Sequence, residues 1–369
     1  AEHTLYHADQ LAYWSFSRGL SEAMVRAPLS AVSAIADSVA HAELSLLPAA
    51  PVSAAMVLFG PSRAAYLVSI LTIYGMAVVL ALGAALVAVR DRRLPLSTAE
   101  VLVGAAAAIL LLPSLWQPVF IGYLGLGGVA VGVGILTLYL RRPLDELNLK
   151  ELLLIGFLVA LLALFRRWYG IWSVGFCVVV AGESAWNAWR ERRRGREAVA
   201  TALRPVAAVG AAAAVTLLVL AAPLVLRRLG GGYTEEFAAY GVGGLGDRLL
   251  AVVGEYGLVT LGLAAIAGFG LARQAAYRRV AVVIGTQLAA AFVAMMGLQA
   301  HDPQHWYLYA AGLLVLLGTW IAVTLQLFES PRSRRALVGV MLGLGLLTTS
   351  SVMLPGMGPS VDGLGSLVP

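Results

Sequence analysis

The run AAYLVSILTIYGMAVVLALGAALVAV occupies residues 64–89 and contains no charged side chain. It is long enough to cross the hydrocarbon core of a bilayer, which takes about 20 apolar residues in helical conformation. Similar runs recur along the chain: 60% of all residues are hydrophobic and only 12% are charged. A soluble domain keeps roughly a quarter of its residues charged. The sequence therefore predicts an all-α polytopic membrane protein.

Ten apolar runs are predicted to span the membrane, and the glycine-rich stretch GYLGLGGVAVGVG at residues 122–134 lies in one of them. Small residues in a membrane helix allow its neighbours to approach closely. The predicted spans are Ala64–Val89, Ala99–Leu115, Val119–Leu140, Leu152–Phe165, Gly170–Trp186, Val206–Leu226, Gly257–Leu271, Val280–Leu298, Trp306–Leu325 and Ala336–Leu354.

The orientation follows from the basic residues, most of which cluster between alternate spans. These clusters lie at residues 90–93, 141–150, 190–196, 273–279 and 332–335. Because loops on the cytoplasmic side are enriched in arginine and lysine, these five loops are predicted to be inside. The net charge of +6 then reports topology and not a nucleic-acid partner. The dominance of arginine over lysine, together with abundant alanine and glycine, suggests a bacterial origin.

This topology divides the chain into three predicted parts. Residues 1–63 form an extracytoplasmic first loop that carries interfacial helices, residues 64–355 form the transmembrane bundle, and residues 356–369 form an extracytoplasmic tail. A chain that starts outside without a signal sequence is hard to insert, so a further helix is expected upstream.

The first outer segment contains HADQLAYW at residues 7–14, which includes His7, Asp9, Tyr13 and Trp14. On a helix, positions four and five apart share one side, so the acid and the two aromatic rings are expected to lie together. One alternative remains open. An interfacial helix with Tyr13 and Trp14 at headgroup level explains the same residues.

Two arginines, Arg166 and Arg167, occur in LLALFRRWYGIWSVGF between two apolar runs, at a predicted outer turn. Guanidinium groups have planar donors that suit a phosphate. The alternative is that both side chains only extend to the outer headgroups.

A third outer loop, LQAHDPQHWYLYA, contains His301, Gln304 and His305 as candidate substrate-binding residues. With Asp302, the two histidines are also residue types that ligate a divalent metal. A ligand-binding loop without metal is the preferred interpretation, so no cofactor is predicted. The long outer loop at residues 227–256 is interpreted as a mobile flap with an interfacial helix.

In their order, these motifs resemble membrane glycosyltransferases of the C superfamily, and most closely the bacterial dolichyl-phosphate-mannose-protein mannosyltransferase-like proteins. The resemblance begins with HADQLAYW and AELSLLPAAP and continues through LPSLWQPVFIGYLGLGG, FRRWYGIWSVGF and QHWYLYAAGLL. Each motif is short, and the resemblance depends on their sequence of loops and helices. The acidic pair usual at the first motif is Asp9–Gln10 in this chain.

The resemblance implies that a sugar is transferred from a polyprenyl-phosphate donor to a glycan, lipid or protein acceptor outside the bacterial inner membrane. By this resemblance, Asp9 is the catalytic carboxylate and Glu43 is the second acidic position. Arg166 or Arg167 would stabilise the leaving phosphate, and direct displacement would invert the anomeric centre. Two other classes remain open: a lipid or polymer transporter without enzymatic activity, and a structural or assembly subunit.

Overall fold

The computed structural model describes residues 8–89, 98–230, 244–296 and 303–353. Within these ranges the regular elements are all helical, and no strand occurs. The helices are α1 (Ala8–Arg26), α2 (Pro28–His41), α3 (Ala49–Phe59), α4 (Arg63–Val89), α5 (Thr98–Leu110), α6 (Trp116–Ile121), α7 (Leu126–Leu140), α8 (Leu149–Phe165), α9 (Tyr169–Glu191), α10 (Arg196–Gly230), α11 (Leu245–Arg273), α12 (Arg278–Met296), α13 (Tyr307–Gln326) and α14 (Pro331–Met353). Short 3₁₀ turns lie at Pro113–Leu115, Leu144–Glu146, Arg192–Arg194 and Pro303–Trp306.

Five of these helices, α4, α10, α11, α12 and α13, are long and apolar enough to cross a membrane. A sixth span results if α5 and the bent segment after it are taken together. The all-helical membrane class is therefore confirmed. The count of ten spans and the placement of the first loop outside the cell stay predictions.

Helix α13 lies at the centre of the bundle. Its apolar residues are buried on every side, against α4, α5, α7, α9, α11 and α12. A helix that is hydrophobic all round has no face that prefers water, and in a bundle it is stabilised by packing on all sides. The predicted span Trp306–Leu325 differs from this helix by only one residue at each end.

Aromatic rings pack directly on the glycines at the start of α7. A β-carbon on Gly128 would lie 2.0 Å from the Tyr169 ring, and one on Gly125 would lie 2.4 Å from the Tyr307 ring. Only glycine leaves room for these contacts. The glycine-rich stretch therefore allows close approach, as its composition predicts, but here to aromatic rings.

The predicted spans Ala99–Leu115 and Val119–Leu140 are wrong at the loop that they share. Helix α5 ends at Leu110, and the helical segment that follows turns away from it by 82°. Pro113 has no N–H and cannot continue the helical hydrogen-bond pattern of α5. Gly122 has a φ of +96°, which ends α6, and α7 begins only at Leu126. Apolar composition alone does not reveal such a break.

Beyond residue 243, the predicted flap is part of a helix that continues into the next predicted span, and the mobility of the flap stays a prediction. Helix α11 begins at Leu245 and continues to Arg273, with a break at Gly257, where φ is +74°. The predicted span Gly257–Leu271 therefore captured only the second half of this helix. Helix α10 similarly begins at Arg196, ten residues before the predicted apolar run, and is kinked at Ala221.

The contacts divide the bundle into two ends. At one, which we call the ion-pair end, Glu183 accepts hydrogen bonds from Arg279 Nε (2.7 Å) and Tyr139 Oη (2.6 Å). Arg279 also donates to the Arg142 carbonyl at 2.6 Å. These residues belong to loops and helix ends that are all predicted to be inside.

Helix α8 starts at the ion-pair end with a reciprocal cap. Asn148 Oδ1 accepts from the Glu151 amide, and the Glu151 carboxylate accepts from the Asn148 amide. This second bond lowers the pKa of the Glu151 carboxyl, and Arg141 adds to the effect. Two backbone donors at the helix start are thereby satisfied.

Candidate functional site

The opposite end, which we call the aromatic end, brings together the N-terminal helices and the turns at residues 113–125, 166–168 and 303–306. The Arg166 guanidinium carbon lies 4.6 Å from the centroid of the Tyr13 ring on α1. The Trp168 and His305 rings meet edge to face with 5.7 Å between centroids. The three segments that are predicted to form the site therefore converge. This agrees with the prediction that all three lie on the same side of the membrane.

Arg166 is only 3% exposed and does not extend to the surface. Its guanidinium lies over the Tyr13 ring and 5.9 Å from the centroid of Trp168, in electrostatic range of Tyr66, Tyr169 and Tyr307. Burying a cation costs several kcal/mol unless neighbouring groups stabilise it. Because Arg166 is buried among these rings, its side chain does not extend to the lipid headgroups.

Arg167 points elsewhere because the chain is extended at Arg166, with φ −145° and ψ 131°. In extended backbone, neighbouring side chains point to opposite sides. The Arg167 guanidinium donates to the carbonyls of Ser38, Val39 and Ala42, with the shortest bond at 2.8 Å. Arginine therefore caps the C-terminal end of α2, where a positive charge also favours the helix dipole.

Glu43 forms an ion pair with Arg227 of α10 at 2.8 Å. The same arginine donates to the His41 carbonyl at 3.0 Å. Glu43 therefore helps to fasten the connection after α2 to the bundle. Its role as the second acidic position of the site, and that of Arg167 in phosphate binding, stay predictions.

Trp14 and Arg63 form a second cluster at the aromatic end. The Trp14 and Tyr66 rings meet edge to face with 5.3 Å between centroids, and the Arg63 guanidinium lies over both. Tyr66 Oη donates to the Gly122 carbonyl at 2.7 Å. Tyr13 and Trp14 are thus packed within the protein, and neither stands alone on an interfacial helix.

Several predicted site residues lie partly or wholly beyond the described part of the chain. His7 and His301 are outside the described residues. Asp9 is in the first turn of α1 and Gln304 in the Pro303–Trp306 turn, but only their backbone is described. Asp9 stands four positions before Tyr13 on the same helix, so the two share a face.

One carboxylate at the aromatic end was not predicted. Glu255 lies on α11 within GEYG, in the region interpreted as a flap. Its Oε1 atom is buried, and no described residue forms a hydrogen bond with it. An acid between two glycines at the edge of an apolar run is the sequence signal that marks it.

Three tyrosines connect the elements around this carboxylate by donating to backbone carbonyls. Tyr307 donates to Leu115 at 3.0 Å, Tyr256 to Trp306 at 2.6 Å, and Tyr169 to Gly125 at 2.7 Å. Each of these bonds joins a helix start to another element of the bundle. The broken backbone is thereby held in one arrangement.

Among the described residues, no three metal-ligating side chains lie close enough together to hold an ion. No protein family, curated protein or solved structure matches this chain. The assignment of function therefore depends on the residues of the aromatic end.

Proposed function

We propose that this chain is a membrane glycosyltransferase. It moves a sugar from a polyprenyl-phosphate donor to a glycan, lipid or protein acceptor at the aromatic end of the bundle. The observation that supports this most is the buried Arg166 guanidinium, at the place where α1, the α8–α9 turn and the 303–306 turn meet. The resemblance to glycosyltransferases of the C superfamily supports the same activity.

The leaving group of such a donor is already a phosphate, so it requires a positive charge and not a general acid. A guanidinium in a desolvated site supplies that charge in a fixed orientation, together with paired donors. Among the predicted phosphate-binding residues, Arg166 fits this role better than Arg167, whose donors engage the end of α2. Aromatic rings around Arg166 offer flat apolar surfaces for a sugar and for the first isoprene units.

The acceptor hydroxyl becomes a good nucleophile only when a base removes its proton. The resemblance assigns this role to Asp9, which stands one turn before Tyr13 on α1. The hydroxyl then attacks the anomeric carbon as the phosphate leaves from the other side. The product has the inverted configuration, and the Asp9 carboxyl holds the proton.

The aromatic end is predicted to face outward from a bacterial inner membrane, because the basic loops are predicted to lie at the ion-pair end. A polyprenyl carrier has its tail in the bilayer and its phosphate at the headgroups. It would reach the aromatic end from within the membrane, without leaving the lipid.

The direct test is incubation of the purified chain in lipid nanodiscs with radiolabelled polyprenyl-phosphate hexoses and pentoses, together with candidate acceptors. We expect label to move from the lipid to an acceptor with inversion at the anomeric carbon. Label that stays on the lipid with every donor and acceptor would refute the transferase assignment.

A second candidate function is transport of a lipid-linked sugar or polymer without any reaction. The breaks in the α5–α6 region and at Gly257 favour it, because transporters form substrate sites from discontinuous helices. Movement of labelled lipid across the membrane of proteoliposomes, without transfer to acceptor, would support this alternative.

A further inference from the structure

Glu255 is the group at the aromatic end that the proposed reaction leaves without a role. Its Oε1 atom is buried in an apolar bundle without a hydrogen bond from any described residue. A carboxylate oxygen that has lost water without gaining a donor is costly, and such groups inside membrane bundles usually serve a substrate.

The backbone around Glu255 is irregular on two elements at once. Gly257, two positions later, breaks α11, and the chain between α5 and α6 is bent by 82°. The two breaks are joined, since Thr260 Oγ1 donates to the Leu111 carbonyl at 2.7 Å. Irregular backbone at membrane depth is tolerated where it lines a site.

Tyr307 relates this carboxylate to the arginine. Tyr256, the residue after Glu255, donates at 2.6 Å to the carbonyl of the residue that precedes Tyr307. The charges of Glu255 and Arg166 both act on the Tyr307 hydroxyl. This hydroxyl group is fixed on the Leu115 carbonyl at 3.0 Å, so its position relative to the bent segment is defined. A negative and a positive group thus stand around one buried, oriented ring.

A polyprenyl-phosphate sugar carries groups that complement both charges. Its phosphate accepts hydrogen bonds and suits the guanidinium, whereas its sugar hydroxyls donate and suit a carboxylate. We infer that Glu255 binds the hydroxyl groups of the donor sugar while Arg166 binds the adjoining phosphate. This inference rests on the proposed function, because it concerns the donor of that reaction.

Glu255 then distinguishes a loaded carrier from an empty one. The carboxylate gains donors only when a sugar is present, and charge-assisted hydrogen bonds of this kind are the strong ones. The bare polyprenyl phosphate left after transfer engages Arg166 alone and binds more weakly. Product release is favoured by the same contact that selects the substrate.

The experiment is competition binding to the full chain in nanodiscs, with polyprenyl phosphate and polyprenyl-phosphate hexoses or pentoses as competitors. We expect the parent to prefer at least one sugar-bearing lipid and Glu255→Gln to lose about tenfold of that preference, which corresponds to one lost charge-assisted bond. Arg166→Lys should weaken both lipids alike. Glu146→Gln, at an exposed position of the ion-pair end, should change neither.

A second measurement on the parent avoids any dependence on variant folding. A membrane-permeant carbodiimide reacts with carboxyl groups in apolar surroundings, and mass spectrometry quantifies the reaction at Glu255. We expect the preferred sugar-bearing lipid to protect Glu255 and bare polyprenyl phosphate not to. Equal protection by both lipids would overturn the inference. It would also be overturned if the parent preferred no sugar-bearing lipid, or if Glu255→Gln kept the full preference.

The outcomes separate this inference from the proposed function. If the preference for a sugar-bearing lipid depends on Glu255 but no sugar is transferred, the sugar site is supported and the transferase assignment is refuted. If Glu255→Gln transfers sugar as the parent does and keeps the parent's preference for a sugar-bearing lipid, the transferase assignment is supported and the sugar site is refuted.

Discussion

The Arg166 guanidinium carbon lies 4.6 Å from the centroid of the Tyr13 ring. This contact joins α1 to the turn between α8 and α9. A cation above an aromatic face contributes about 2 kcal/mol when both are desolvated, and both residues are buried here. The contact therefore orients a charge that would otherwise be expensive in an apolar bundle.

Replacing Arg166 with lysine keeps the charge but removes the forked donor geometry. We expect a stable, inserted protein whose use of the polyprenyl-phosphate donor falls roughly 10- to 150-fold, the equivalent of one charge-assisted contact. Affinity for the acceptor should barely change, because the acceptor has no such phosphate. Initial rates at varied donor and acceptor concentrations separate these effects. Unchanged donor use would move the phosphate site to Arg63 or Arg227.

Replacing Arg167 with alanine should affect stability and not donor binding. The variant loses the bonds to the Ser38, Val39 and Ala42 carbonyls, and α2 loses its cap. We expect a loss of about 1.5–3 kcal/mol, seen as a lower Tm and faster proteolysis near residues 28–42. The matched control is Arg166→Ala, which removes a guanidinium from the same turn. A stable Arg167→Ala protein with poor donor affinity would instead support phosphate binding by Arg167.

Asp9→Asn tests the assigned base. The amide keeps the shape of the side chain but does not accept a proton at neutral pH, so transfer should stop while donor affinity is retained. The matched control is Asp37→Asn on α2, where the carboxylate is exposed and pairs with His41 at 3.0 Å. Near-parental turnover in Asp9→Asn would exclude Asp9 as the base, and Glu43 would be tested next.

Two alanine substitutions in α7 measure the packing of rings on glycine. Gly128→Ala puts a β-carbon 2.0 Å from the Tyr169 ring, so the ring must move and its bond to Gly125 is lost. We expect a loss of about 1–3 kcal/mol in stability, typical of an overpacked core. Gly134→Ala has no neighbour within 4 Å and should be neutral or slightly stabilising. Equal Tm values for the two variants would contradict this account.

At the ion-pair end, Arg279→Ala leaves the Glu183 carboxylate with Tyr139 as its remaining described partner. Removing one member of a partly buried pair costs more than the pair itself contributes. We expect a loss of about 1–3 kcal/mol by thermal unfolding, with no change in donor affinity. Restored stability in the double variant Arg279→Ala, Glu183→Gln would confirm that the uncompensated charge causes the loss.

The sequence predicts well those features of the structure that depend on hydropathy and charge. Apolar length identifies α13 almost to the residue, since a buried span has no polar face to obscure its limits. The alternation of basic loops predicts two groups of helix ends, and their orientation in the membrane stays a prediction. The alternation also predicts that Tyr13, Arg166 and His305 belong to one cluster.

The rest depends on backbone geometry that composition does not encode. Arg166 and Arg167 are the same residue in adjacent positions, and only the extended turn after α8 sends one inward and the other to α2. The sequence does not predict Glu255 as a site residue, because charged residues and glycines beside an apolar run are typical of a loop. In the structure, α11 continues through these residues and breaks only at Gly257. The position of the bend after α5 is likewise earlier than hydropathy predicts, since α5 ends at Leu110 while the apolar run continues to Leu112.

The cap that Arg167 places on α2 has a consequence for the order of biosynthesis. The donor and its acceptor at Ala42 are 125 positions apart in the chain. Helix α2 emerges from the ribosome long before Arg167 does, and until then the Ser38 carbonyl has its backbone bond from Ala42, while the guanidinium bonds to α2 are absent. The contact between α2 and the α8–α9 turn therefore forms only after the chain up to Arg167 has been made, although α1 also packs against α3. Assembly of the site thus waits until that much of the chain has been synthesised.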